Sequence, residues 1–153
     1  MRTLWRISRH NDLAGLGGEQ ADGRWHTAAR GKRIVYLSEH PALALIEVLV
    51  NLKGDPKLFP DVYQLAKVSV PDRISSGTLA PDSLTPDWRQ DLSLTRSAGD
   101  TWLASGSSAL LSVPSAPSPE SWNTLLNPLH PDARNLTLEW SKWIAYDQRL
   151  FHL

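Results

Sequence analysis

The hydrophobic pattern changes period along the chain and marks out its elements. TLWRI (3–7) alternates and predicts a short strand. RIVYLS (33–38) is a β-branched and aromatic run that predicts a second strand. Its period of two sets Ile34 and Tyr36 on one face, Val35 and Leu37 on the other. SEHPALALIEVLVNL then carries the signals of a helix start. Pro41 suits the first turn, where its missing N–H is no loss, and Ser38 or His40 stands near the cap. The helix is expected to stop between Asn51 and Gly54. It is apolar nearly all round, which predicts a buried central helix rather than a surface one.

DVYQLAKVSVP (61–71) reads as a strand closed by Pro71. Residues 72–91 are rich in Pro, Ser and Asp and predict a surface loop. LTRSAGDTWLASG (94–106) has helical spacing through Leu94, Ala98, Trp102 and Leu103, with Gly106 as its stop. SALLSVPSA (108–116) predicts a strand running into a Pro-Ser turn, and 119–132 a short helical turn and loop. NLTLEW (135–140) and WIAYD (143–147) read as two final strands. Short strands around a buried helix make an α+β domain, and 153 residues suffice for one compact domain over the whole chain, 1–153.

Composition narrows the function classes. Lys+Arg and Asp+Glu both number 16, so the chain lacks the positive footprint of a phosphate-backbone binder, and no direct nucleic-acid binding is expected. The densest basic cluster, Arg30-Gly31-Lys32-Arg33, is short enough to be a solvated turn. Without cysteine there is neither a disulfide framework nor a thiol nucleophile, and the five scattered histidines lack paired metal-ligand spacing. MRTLWRISRH has no apolar signal-peptide core, and no apolar run reaches the roughly 20 residues of a membrane span. A soluble cytoplasmic protein with no membrane partner is the expectation.

Candidate chemistry lies where polar residues stand in apolar surroundings. Glu47 interrupts PALALIEVLVNL, and a buried carboxylate must be paired, neutralised or turned into a polar cavity. Two readings stand: a salt bridge to Arg24, or a pocket-lining carboxylate with Arg24 nearby. Arg24 follows a Gly- and Asp-rich loop (11–26), Tyr36 is mid-strand, and Ser115 lies between Pro114 and Pro117. Asn127 and His130 follow in NPLHPD. No Ser-His-Asp pattern, phosphate-cradling Gly-Lys motif or GxGxxG is present. Spacing therefore indicates a polar pocket without naming a reaction.

LWRI, GRWH, RIVYLSEHPALALIEVL, LLSVPSA and WNTLLNPLHPD, in that order, resemble the RES-domain toxins of bacterial toxin–antitoxin pairs. The likeness runs from about Leu4 to Arg149. The arginine, glutamate and serine that give the family its name map onto Arg24, Glu47 and Ser115, and its strand tyrosine onto Tyr36. One departure is His26, where the family commonly has asparagine. The resemblance implies a fold similar to the ADP-ribosyltransferase toxins and an activity on NAD⁺, consumed as a substrate with no resident cofactor or metal. The implied reaction is cleavage of the nicotinamide–ribose bond by hydrolysis or phosphorolysis, or alternatively transfer of ADP-ribose to a protein. Arg24, Glu47 and Ser115 would be catalytic. NAD⁺ would be bound by Arg24, Tyr36, Glu47 and Ser115, with Asn127 a weaker member and His130 shaping a loop. The implied partner is an antitoxin with a DNA-binding domain and a C-terminal toxin-binding segment, in a complex where the toxin is able to dimerise. Two other classes compete: an RNA-cleaving toxin with His130 or His26 as general base, and a non-catalytic binding module.

Overall fold

The computed structural model describes residues 1–53 and 55–151. Seven strands form one sheet: β1 (Arg2–Ile7), β2 (Val35–Ser38), β3 (Val62–Val70), β4 (Ser76–Thr78), β5 (Leu110–Pro114), β6 (Trp122–Leu126) and β7 (Thr137–Ala145). Their order is β4-β5-β6-β2-β1-β3-β7, and all neighbours are antiparallel except the parallel pair β4–β5. Helix α1 (Pro41–Asn51) follows β2, and α2 (Leu92–Ser105) precedes β5. This is the expected α+β domain.

Strand alternation builds two cores, one on each face of the sheet. Val35 and Leu37 join Leu4, Val68, Val70, Leu110 and Leu126 in one cluster. Ile34 joins Trp25, Trp88, Trp102, Val113 and Leu125 in the other, and Tyr36 packs against that cluster. The predicted split of residues 34–37 is therefore the observed one. Neighbouring residues such as Leu125 and Leu126 likewise fall in opposite clusters.

Both helices begin on a side-chain cap. The Nδ1 of His40 accepts from the Ala42 N–H at 3.1 Å, and Pro41 opens α1. Asp91 caps α2 by accepting from the Leu94 N–H at 3.0 Å, and Gly106 ends it in the left-handed region at φ 61°. Helix α1 ends at Asn51; the expected limit at Gly54 lies outside the described residues.

Four expectations need correction. Helix α1 is not buried all round: it packs along one flank on β1 and β2, leaving Ile46 38% and Val50 53% exposed. Residues 119–132 are not a helical turn and loop throughout, because Trp122–Leu126 is β6, hydrogen-bonded between β5 and β2. Pro128 and Pro131 lie just beyond it. The segment 72–91 is not wholly loop, since Ser76–Thr78 pairs with β5. The two final strands are one, Thr137–Ala145, whose register against β3 shifts at Lys67/Val68.

Candidate active site

Glu47 sits in the middle of α1, and its charge is met by hydrogen-bond donors. Its Oε1 accepts from the Ser115 hydroxyl at 2.8 Å and from Asn123 Nδ2 at 2.7 Å. Asn123 is held in turn: its Oδ1 accepts from the Ser38 hydroxyl at 2.8 Å. Ser115 Oγ also accepts from the Ser118 N–H at 3.2 Å. With 1% exposure, Ser115 stands behind the carboxylate rather than on the open wall. Strand register explains the meeting. Val113 of β5 lies opposite Asn123 of β6, and Asn123 opposite Ser38 at the end of β2, immediately before α1. Among the described residues Glu47 Oε2 has no hydrogen-bond partner, and no buried side-chain N or O atom is left without one. The second oxygen is thus the one available to the cavity.

Arg24 belongs to a loop clamped by one face of α2. The Thr95 hydroxyl donates to the Arg24 carbonyl at 2.6 Å, and Arg96 Nε to the Gly23 carbonyl at 2.8 Å. One turn later Asp100 accepts from the Thr27 N–H and from Lys32 Nζ, each at 3.0 Å. Between them Gly99 lets the helix lie directly on Trp25. Trp25 is buried and packs at 6.0 Å from Trp88, which anchors the same loop in the core. Arg24 Nη1 donates to the Arg89 carbonyl at 3.1 Å. The salt bridge between Arg24 and Glu47 is not formed; among the described residues no ion pair includes either.

Both residues line the same open cavity, of about 840 Å³, the size range of sites for drug-sized ligands. Arg6, Arg89 and Arg96 line it as well. Burial draws the Arg24 guanidinium below its ordinary value, while the Glu47 carboxylate acts to raise it and Arg96 to lower it. Asp22 is a second carboxylate in the lining, 4.0 Å from Arg96, and the arginines together with Glu47 suit a ligand with an anionic part and a part that becomes cationic. Tyr36 also lines the cavity, and burial pushes its hydroxyl pKa up.

Asn127 lies outside the cavity lining; its side chain accepts from the Leu129 N–H at 3.1 Å and shapes the turn after β6. His130 caps the following 3₁₀ turn by accepting from the Asp132 N–H at 3.0 Å. Among the described residues no three His, Cys, Asp or Glu side chains are grouped to hold a metal ion. No helix there is long and apolar enough to cross a membrane.

The RES domain family model matches residues 3–146. The chain belongs to the RES-domain family. "Toxin Res" of Pseudomonas putida KT2440 is 41% identical over 97% of this chain and 99% of its own. "Prs ADP-ribosylating toxin" of Sphingobium sp. YBL2 is 34% identical over 97% of this chain and 96% of its own. In fold, the chain is similar to the Mycobacterium tuberculosis MbcT–MbcA toxin–antitoxin complex, with TM-score 0.75, 18% identity and coverage of 99% of this chain and 87% of the other.

In this RES domain, then, Arg24, Tyr36 and Glu47 meet at one cavity, with Ser115 supporting Glu47 from behind. Asn123 was missed by sequence reasoning. A signal was available: read as a strand, WNTLL places Asn123 and Leu125 on one face, and Leu125 shares a core with Tyr36. The α2 clamp had no comparable signal, because its hydrogen bonds join residues about 70 positions apart.

Proposed function

We propose that this chain is the toxin of a toxin–antitoxin pair and that it cleaves the nicotinamide–ribose bond of NAD⁺. The observation that carries the reading is Glu47. One oxygen is held by Ser115 and Asn123, and the other, without a partner among the described residues, is open to a cavity rich in arginine. As the glycosidic bond breaks, its electron pair goes to the pyridinium nitrogen, nicotinamide leaves neutral, and positive charge develops on the ribose. A carboxylate oriented in advance stabilises that charge without reorganising. Glu47 Oε2 also accepts a ribose hydroxyl, and Arg24 grips the pyrophosphate. Tyr36 packs its ring against the nicotinamide–ribose end. Water attacking C1′ releases a proton and completes hydrolysis; phosphate attacking there completes phosphorolysis.

Transfer of ADP-ribose to a protein is the second reading, favoured by the Sphingobium relative, which is named an ADP-ribosylating toxin. The partner reading rests on the solved complex, in which a chain of this fold is bound to an antitoxin. A partner whose terminal segment occupies the arginine-lined cavity would block both reactions.

Mass spectrometry of the products formed from NAD⁺, with and without phosphate, tests the reaction. ADP-ribose or its 1-phosphate is the expected product, alongside nicotinamide. Intact NAD⁺ with a modified protein from the lysate absent as well would overturn the reading. Induced expression should arrest growth with a falling NAD⁺ pool, and co-expression of the adjacent reading frame should yield a complex that relieves the arrest.

A further inference from the structure

The Tyr36 hydroxyl has its hydrogen bonds inside the protein. It lies 2.8 Å from His26 Nδ1, and it accepts from the Trp25 N–H at 3.0 Å. His26, only 2% exposed, has its other ring nitrogen, Nε2, 3.0 Å from the Gly18 carbonyl. A carbonyl only accepts, so Nε2 carries the proton, and in the neutral ring Nδ1 is then the acceptor. The Tyr36 O–H must therefore donate to Nδ1. The relay runs from Trp25 N–H to Tyr36 Oη–H to His26 Nδ1, and from His26 Nε2–H to Gly18 O. It ties the backbone on the C-terminal side of Arg24 to β2. Gly23, on the N-terminal side, lies under the same hydroxyl, where an added β-carbon would stand 2.3 Å from it.

We propose that His26 is a positioning residue: in its Nε2–H form it turns the Tyr36 hydroxyl inward, and through that hydroxyl it holds the Trp25 backbone and so places Arg24. Tyr36 then meets the ligand with its ring, and its hydroxyl serves the loop. This rests on the NAD⁺-cleaving reading for its kinetic consequence, whereas the relay itself stands on hydrogen bonds alone.

Two variants separate the ring's two contacts. His26→Asn can present an acceptor oxygen where Nδ1 stood, while His26→Gln reaches toward Gly18 but lacks an acceptor at the δ position. In the full chain, His26→Gln should raise the KM for NAD⁺ about fivefold, the size of one net hydrogen bond, and leave kcat within about twofold. His26→Asn should restore most of that loss. In a Tyr36→Phe background neither change should add a further effect. Additive losses, or a fall in kcat at unchanged KM, would overturn the proposal. Independently of any activity, ¹⁵N-histidine spectra of the wild type should show the His26 ring, assigned by its disappearance in His26→Asn, protonated at Nε2 alone. A ring protonated at Nδ1 would also overturn it. If the wild type left NAD⁺ intact, the function above would fall, while the spectrum and faster Trp25 amide exchange in His26→Gln would still decide the relay.

Discussion

The β-carbon that Gly99 lacks would stand 1.7 Å from the carbonyl oxygen of Trp25. Helix α2 therefore rests on the backbone of the loop that carries Arg24, and no side-chain rotation relieves an added methyl. Gly99→Ala improves local helix propensity by up to about 1 kcal/mol, yet the helix must lift from the loop to admit it. Overpacking of this kind costs about 1–3 kcal/mol, and more where backbone is the obstacle. Net destabilisation is expected in urea unfolding, together with a raised KM for NAD⁺. An unchanged midpoint would show that α2 and the loop are not in this contact.

Asn123→Asp exchanges the donor beside Glu47 for a second carboxylate, at a position now 2.7 Å from Glu47 Oε1. Two carboxylates this close share a proton, so the pair binds one at a pH where the unfolded chain binds none. The folded state then holds more protons than the unfolded, and stability falls as pH rises. Relative to wild type, the variant should be less stable at pH 8 than at pH 5 by urea denaturation. Equal deficits at both pH values would place Asn123 away from the carboxylate. Turnover should drop as well, because Glu47 is no longer a fixed negative charge.

Asp100 gives the opposite sign. Burial acts to raise its pKa, but hydrogen bonds from the Thr27 N–H and Lys32 outweigh this and hold it below the usual aspartate range. A depressed folded-state pKa adds stability above the unfolded value and loses it as pH falls through the folded one. Asp100→Asn should therefore be less stable than wild type at pH 7, with the difference shrinking below about pH 4. A difference that grows on acidification would contradict the arrangement.

What the sequence carries and what it omits divide along physical lines. Period-two alternation assigned Ile34 and Tyr36 to one core and Val35 and Leu37 to the other, because the pleat alone sets those directions. Gly106 marked the end of α2 because left-handed backbone favours glycine. Burial of α1 was overstated: Ile46 and Val50 are apolar yet exposed, and composition does not say which flank a helix packs. Strand β6 was read as part of a helical turn and loop, because five residues are too few for their period to separate strand from turn. The site shows the same division. Glu47 was conspicuous as a charge in an apolar run, but its partners Ser115 and Asn123 lie 68 and 76 residues away, joined only by strand register.

That register makes Glu47→Gln the decisive substitution. Glutamine keeps an acceptor oxygen for Ser115 and Asn123, and no buried arginine is stranded because Arg24 bonds to the Arg89 carbonyl instead. The fold should hold to within about 1 kcal/mol, the worth of exchanging charged for neutral hydrogen bonds here. Affinity for NAD⁺ should change little, since the ribose carries scant positive charge before the bond breaks. Turnover should fall about 10²–10³-fold, or about 3–4 kcal/mol, as a preorganised contact with the developing cation is lost. Melting, NAD⁺ binding and turnover are to be measured on the same preparation. A folded, NAD⁺-binding protein with near-normal turnover would remove Glu47 from the chemistry; a loss of turnover that merely follows a loss of folded protein would reduce it to a structural residue.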